Sequence, residues 1–168
     1  MIRTGYTADT KEWERIKRQL LASNKKSLQI GWFNGDLHSQ AEESGPPIPL
    51  AQLAKWLHDG TVNANGSTIP PRPFIAEGFM VYLKNRPIFE NALKRRLPLV
   101  IEGRMSWEQL YASLGDEMVE LLQMVMDSWS YPPNAPLTIR LKGRDDPLDK
   151  TGELISKVKW RIGDKEFV

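Results

Sequence analysis

The stretch that most constrains the fold is Ile69-Pro70-Pro71-Arg72-Pro73-Phe74, where three prolines fall within four residues. Proline fixes φ, lacks an N–H and pushes the preceding residue into extended backbone, so the hexapeptide predicts a stiff connector. Just upstream, Leu50, Leu53, Ala54 and Leu57 form one apolar stripe behind Pro49 at a first-turn position. Gly60 follows where a helix C-terminus wants glycine. The segment therefore reads as helix, stop, loop and rigid strap.

The rest of the chain is arranged on either side of this unit. Asp9-Thr10-Lys11-Glu12 has capping-box spacing, and Trp13, Ile16, Leu20 and Leu21 follow at helical intervals, which predicts a helix over Thr10 to Ala22. Ser27 to Phe33 alternates, with Leu28, Ile30 and Trp32 on one face, and predicts a strand. The polar stretch from Asp36 to Pro47 predicts a long loop or contact arm. After the strap, Pro87 predicts a break between two helices, Ile75 to Lys84 and Pro87 to Leu97. Ser106-Trp107-Glu108-Gln109 repeats the capping-box spacing and opens what reads as the longest helix, Trp107 to Ser128. Leu137 to Gly143 alternates and is compatible with a strand or an extended arm; Val158 to Ile162 alternates as a last strand.

Strands near both ends with helices between them predict an α+β fold: a small antiparallel sheet packed with several helices, including one long helix in the C-terminal half. At 168 residues and 40% hydrophobic content, one domain over 1–168 is expected. The 23 basic and 21 acidic residues nearly cancel, so bulk charge does not demand a nucleic-acid or membrane partner. No cysteine is present, which excludes disulfides, thiolate metal sites and cysteine nucleophiles. No apolar run reaches the roughly 18 residues of a membrane span, and the N-terminus has no apolar signal region, so a soluble protein without a targeting address is expected.

Chemistry has little foothold. His38 lies among Asp36, Glu42 and Glu43, where a metal-dependent hydrolase would need it, yet a solvated acidic loop accounts for the same residues. His58 sits near a helix end, where a cation complements the dipole. Asp145 and Asp146 are adjacent, with Asp149 nearby, but they have no evident partner base and read as a turn beside Pro147. Catalytic and nucleotide-binding signatures are missing from the sequence, so no enzyme, cofactor or metal is expected. Lys94-Arg95-Arg96, and Arg140, Lys142 and Arg144 on alternate positions of an extended stretch, are the candidate phosphate contacts of a DNA-binding accessory protein. Trp13, Trp32, Trp107, Trp129 and Trp160 fall on apolar stripes and are expected in the core, whereas Trp56 flanks its stripe as core edge or subunit contact.

Two blocks carry a resemblance. Leu53-Ala54-Lys55-Trp56-Leu57-His58-Asp59-Gly60-Thr61 with the strap resembles a helix ending in an aromatic, an acidic residue and Gly-Thr before P-x-R-P-F. Downstream, Pro132-Pro133-Asn134-Ala135-Pro136-Leu137-Thr138-Ile139-Arg140, Lys142-Gly143, Pro147-Leu148 and Asp149-Lys150-Thr151-Gly152-Glu153-Leu154 resemble N-x-P-x-T-I-x-x-K-G and P-L-x-x-T-G-x-L. In this order the blocks resemble the tail-completion and head-tail connector proteins of tailed phages and prophages.

The resemblance implies a virion structural protein made in the bacterial host cytoplasm and built into the tail or neck. It implies rings of identical subunits, commonly hexameric, in contact with neighbouring neck, connector or tail-tube proteins, around a channel through which double-stranded DNA passes without specific recognition. A ring needs a heterologous interface with two different faces per subunit. The strap, the Asp36 to Pro47 loop and the Pro132 to Asp149 segment are its candidate contact arms. Trp56, Arg72, Pro73, Phe74, Arg140, Lys142 and Arg144 are the candidate interface residues, with Phe74 anchoring the strap on a core or a neighbour and Arg72 making a charge-assisted contact at its rim.

Overall fold

A computed structural model describes residues 10–23, 26–38, 47–63, 66–148 and 151–164. Glu42 and Glu43, most of the Asp36 to Pro47 arm, the Asp9 cap and Asp149 lie outside the described residues. The elements run α1 (Thr10–Ser23), β1 (Lys26–Gly31), α2 (Leu50–Asp59), β2 (Thr61–Val62), β3 (Thr68–Ile69), α3 (Phe74–Ile101), α4 (Trp107–Asp127), α5 (Pro136–Lys142), α6 (Glu153–Ser156) and β4 (Lys159–Asp164). The fold is α+β, with a small antiparallel sheet and several helices.

The first and last strands pair as expected. β1 and β4 run antiparallel with Leu28 opposite Ile162 and Ile30 opposite Trp160, which places these apolar side chains on one face. That face packs on α4 at Gly115, where a Cβ would lie 2.6 Å from Cδ2 of Trp160. Only glycine admits the indole so close to a helix backbone. The indole Nε1–H then donates to Asp116 Oδ1 at 2.7 Å.

α4 begins where its sequence says it should. Gln109 N–H donates to Ser106 Oγ at 3.1 Å, and the Gln109 side chain accepts from Ser106 N–H at 2.8 Å, which completes the capping box. α3 departs from expectation: Pro87 does not divide it, and it is one helix of 28 residues, longer than the 21 of α4. Pro87 and Leu83, the residue whose carbonyl loses its partner, both lie on the exposed side, where water can replace the missing bond. Asn85 Nδ2 also donates to Val81 O at 2.9 Å in the same turn. Antiparallel packing on α4, tight enough that a Cβ on Gly78 would sit 3.0 Å from Leu122 Cδ1, holds both halves in line.

α5 is a second correction. Leu137 to Gly143 is neither strand nor extended arm, because Pro136 at the first helical turn and Gly143 in a left-handed conformation at its end define a short helix. The alternating apolar residues then separate: Leu137 and Leu141 share an exposed side, and Ile139 is half-buried. A two-residue hairpin, β2 with β3, adds a feature not expected from sequence. The main core comprises Leu50 and Ala54 of α2, Phe74 of α3, Leu122 and Met126 of α4, Leu148, Leu154 and Val158, with Trp32 and Trp129 packed against it. Trp13 does not join any core and is 61% exposed.

Candidate functional site

The two sequence blocks meet in one buried joint. Gly60, with φ 76°, turns the chain out of α2, and a Cβ there would fall 2.8 Å from Ile69 O and 2.9 Å from Pro71 N. Glycine is needed both for the turn and for the strap's close passage. The strap then runs back along the end of α2, where Arg72 N–H donates to Leu57 O at 2.9 Å.

Arg72 is the centre of this joint, 4% exposed despite its charge. Its Nε donates to Pro132 O and its Nη2 to Pro133 O, each at 3.1 Å. A planar guanidinium offers parallel donors in a fixed fork, which suits two successive carbonyls. Burial pushes the guanidinium below its ordinary pKa and the nearby Asp145 carboxylate pulls the other way, so the cation persists. Asp145 also accepts from Asn134 N–H at 2.8 Å, which ties the downstream block to its own turn.

Phe74, 0% exposed, closes the strap. Its ring meets Trp32, His58 and Trp129 edge-on, with centroids 6.1, 5.5 and 6.5 Å away. The anchoring role expected of Phe74 is thus met inside its own chain, and Arg72 contacts this chain's carbonyls with no exposed rim. Beside the joint lies a cavity of about 280 Å³ lined by His38, Arg72, Asn134, Thr138, Lys142 and Thr151 among others. Asn134 Nδ2 is buried there without a protein partner.

The other candidates are dispersed. Trp56 is 37% exposed on α2 and does not line the cavity; Pro73 is exposed at the start of α3. Arg140, Lys142 and Arg144 do not form a basic row, because α5 turns about 100° per residue and sets Arg140 and Lys142 on opposite sides, and Arg144 lies beyond the left-handed Gly143 that ends the helix. Lys142 Nζ donates to Asp146 O at 2.5 Å, and Arg144 pairs with Asp146 Oδ2 at 2.8 Å. His38 Nδ1 stands 3.5 Å from Glu153 Oε2. Among the described residues no group of three or more His, Asp or Glu could hold a metal ion, and no helix is long and apolar enough to cross a membrane.

Sequence reasoning missed the depth of Arg72 and the role of Asn134. Pro132, Pro133 and the strap each read as stiff and exposed, yet a proline-rich segment leaves carbonyls without strand partners, and a buried arginine is a natural donor to them. No family model, no curated protein and no solved structure matches the chain.

Proposed function

We propose that this chain is a virion structural protein of a tailed phage or prophage. It forms a ring, with six subunits as the working stoichiometry, at the head-tail junction or the head-proximal end of the tail. Its role is mechanical and not catalytic: it completes the tail or neck and leaves a channel for double-stranded DNA, with neck, connector or tail-tube proteins above and below.

The observation that carries the reading is the Arg72 joint. The blocks on which the family resemblance rests are about 60 positions apart, and Arg72 bridges them with two hydrogen bonds. Residues that look like two separate motifs are one structural unit, as expected if both descend from one fold. The same joint ties the strap to the Pro132 to Pro147 segment as one stiff shelf that includes α5, whose Leu137 and Leu141 are exposed. An exposed apolar shelf on a stiff base suits contact with an adjoining virion protein.

Electron microscopy of particles from the parent phage or prophage, with this gene interrupted by a stop codon, tests the role. Full heads separated from tails, or tails of irregular ends, are expected. Normal infectious particles would end the structural reading, and a salt-sensitive DNA shift with purified protein would then favour the accessory role.

A further inference from the structure

Arg72 is a buried cation without an ion pair. It is 4% exposed, and its Nε and Nη2 meet the carbonyls of Pro132 and Pro133, which are dipoles and carry no charge. Among the described residues no Asp or Glu pairs with it: Asp145 acts on it only through space and gives Oδ1 to the Asn134 N–H. A charge taken out of water is ordinarily paired, because neutral acceptors return only part of its lost hydration. A second polar group beside it is incomplete. Asn134 is 9% exposed, and its Nδ2 has no hydrogen-bond partner. The two residues are neighbours, since Arg72 Nη2 bonds the carbonyl of Pro133, the residue before Asn134. A buried donor left without an acceptor is costly and rare in a folded chain, and it points to an acceptor that comes from outside the chain.

Both residues line the cavity of about 280 Å³ beside the joint. No Asp or Glu is among its lining residues. Its other ionisable groups are engaged elsewhere: Lys142 Nζ donates to Asp146 O at 2.5 Å, and His38 Nδ1 stands 3.5 Å from Glu153 Oε2. Arg72 is therefore the cation that an incoming group would answer. Much of the remaining wall is aliphatic, with Leu53 and Leu57 from α2 and Leu148 and Leu154 from the C-terminal part of the chain. At about 30 Å³ per water the space equals about nine waters, enough for roughly ten non-hydrogen atoms. A bare inorganic anion would satisfy the polar groups and leave the leucines facing water.

We propose that this cavity binds a small organic carboxylate, its oxygens accepting from Arg72 and Asn134 and its short apolar body lying against Leu53, Leu57, Leu148 and Leu154. A carboxylate supplies two acceptor oxygens and one negative charge, the complement of a guanidinium beside an amide N–H. A site of this kind, apolar walls with a few converging polar groups, is the usual build of a small-ligand pocket. A free short-chain acid and the C-terminal residue of a peptide carry this same group on a short apolar body. Binding there is independent of the virion role and of ring formation.

Heteronuclear NMR of the full chain tests the site, with hexanoate as the free acid and N-acetyl-leucine as the chain end. At least one should shift the Arg72 Nε–H and Asn134 side-chain amide signals saturably, with a midpoint on the order of 1 mM for so small a ligand. The tighter of the two acids names the source. Its carboxamide, which keeps the shape and loses the charge, should bind at least about tenfold more weakly. Asn134→Leu removes the unpartnered amide; it should stay folded by circular dichroism and weaken the acid by about tenfold or more. No saturable shift from either acid up to about 50 mM would overturn the proposal. So would a carboxamide that binds as well as its acid, inorganic phosphate that binds as tightly, or wild-type affinity in folded Asn134→Leu. Should that variant fail to fold, the comparison of acid with carboxamide on wild type decides alone.

Discussion

Replacing Arg72 by alanine removes both hydrogen bonds that join the strap to the downstream block. A hydrogen bond from a charged donor contributes about 1.5–3 kcal/mol, and a buried carbonyl stripped of its donor costs a comparable amount if water cannot reach it. Pro132 is half-buried but Pro133 is exposed, so the second carbonyl can be rehydrated. Truncating Arg72, which itself lines the adjoining cavity of about 280 Å³, opens a path for water towards the first. These facts place the loss near the lower end of the two-bond range, at about 3 kcal/mol. Urea unfolding followed by tryptophan fluorescence reads it directly, since Trp32 and Trp129 surround Phe74 at the joint. Arg72→Lys keeps a charge but not the fork, and should recover no more than about half of the loss. An Arg72→Ala protein within about 0.5 kcal/mol of wild type, with an unchanged denaturant slope, would refute the account of Arg72 as the joint's centre.

Phe74→Ala opens a cavity at a fully buried position among three rings and should cost about 3–5 kcal/mol in the same unfolding assay, so any loss of assembly in that variant would act through folding. Gly115→Ala forces a methyl into the Trp160 indole and should cost about 1–3 kcal/mol, with a visible change in near-ultraviolet circular dichroism. Asp36 accepts from Lys159 Nζ at 2.6 Å and from Phe33 N–H at 3.1 Å, and these partners, Lys159 first, hold its carboxyl below the usual aspartate range. A depressed folded-state pKa adds stability above the unfolded value of about 3.9 and loses it as the pH falls through the folded value. Wild type should therefore lose stability on acidification more steeply than Asp36→Asn, measured as the urea midpoint across that window; parallel curves would count against the pairing.

What the sequence made legible was local. Ser106 and Gln109 satisfy each other within one turn, and Pro49 and Gly60 bracket α2, so spacing alone identified those helix ends. The pairing of β1 with β4 followed because each strand shows its own alternation and the segments between them are mostly helical. Where the outcome depended on a distant partner, local rules misled. Pro87 reads as a break until α4 is seen lying along both halves of α3. Leu137, Ile139 and Leu141 read as a strand or an extended arm because alternation outweighed the helix signals of Pro136 and Gly143. Arg72 reads as a surface charge because its acceptors lie about 60 residues away. Trp13 belongs to a real apolar stripe, but periodicity says only that a helix has an apolar side. It does not say that the same chain covers that side.

The virion role is tested most directly by locating the protein in purified particles of the phage or prophage that carries the gene, with a gold-labelled antibody viewed by electron microscopy. One cluster of label per particle, at the junction of head and tail or at the head-proximal end of the tail, is the predicted result. Intact particles that carry no label, with the protein left in the soluble fraction of the lysate, would contradict it.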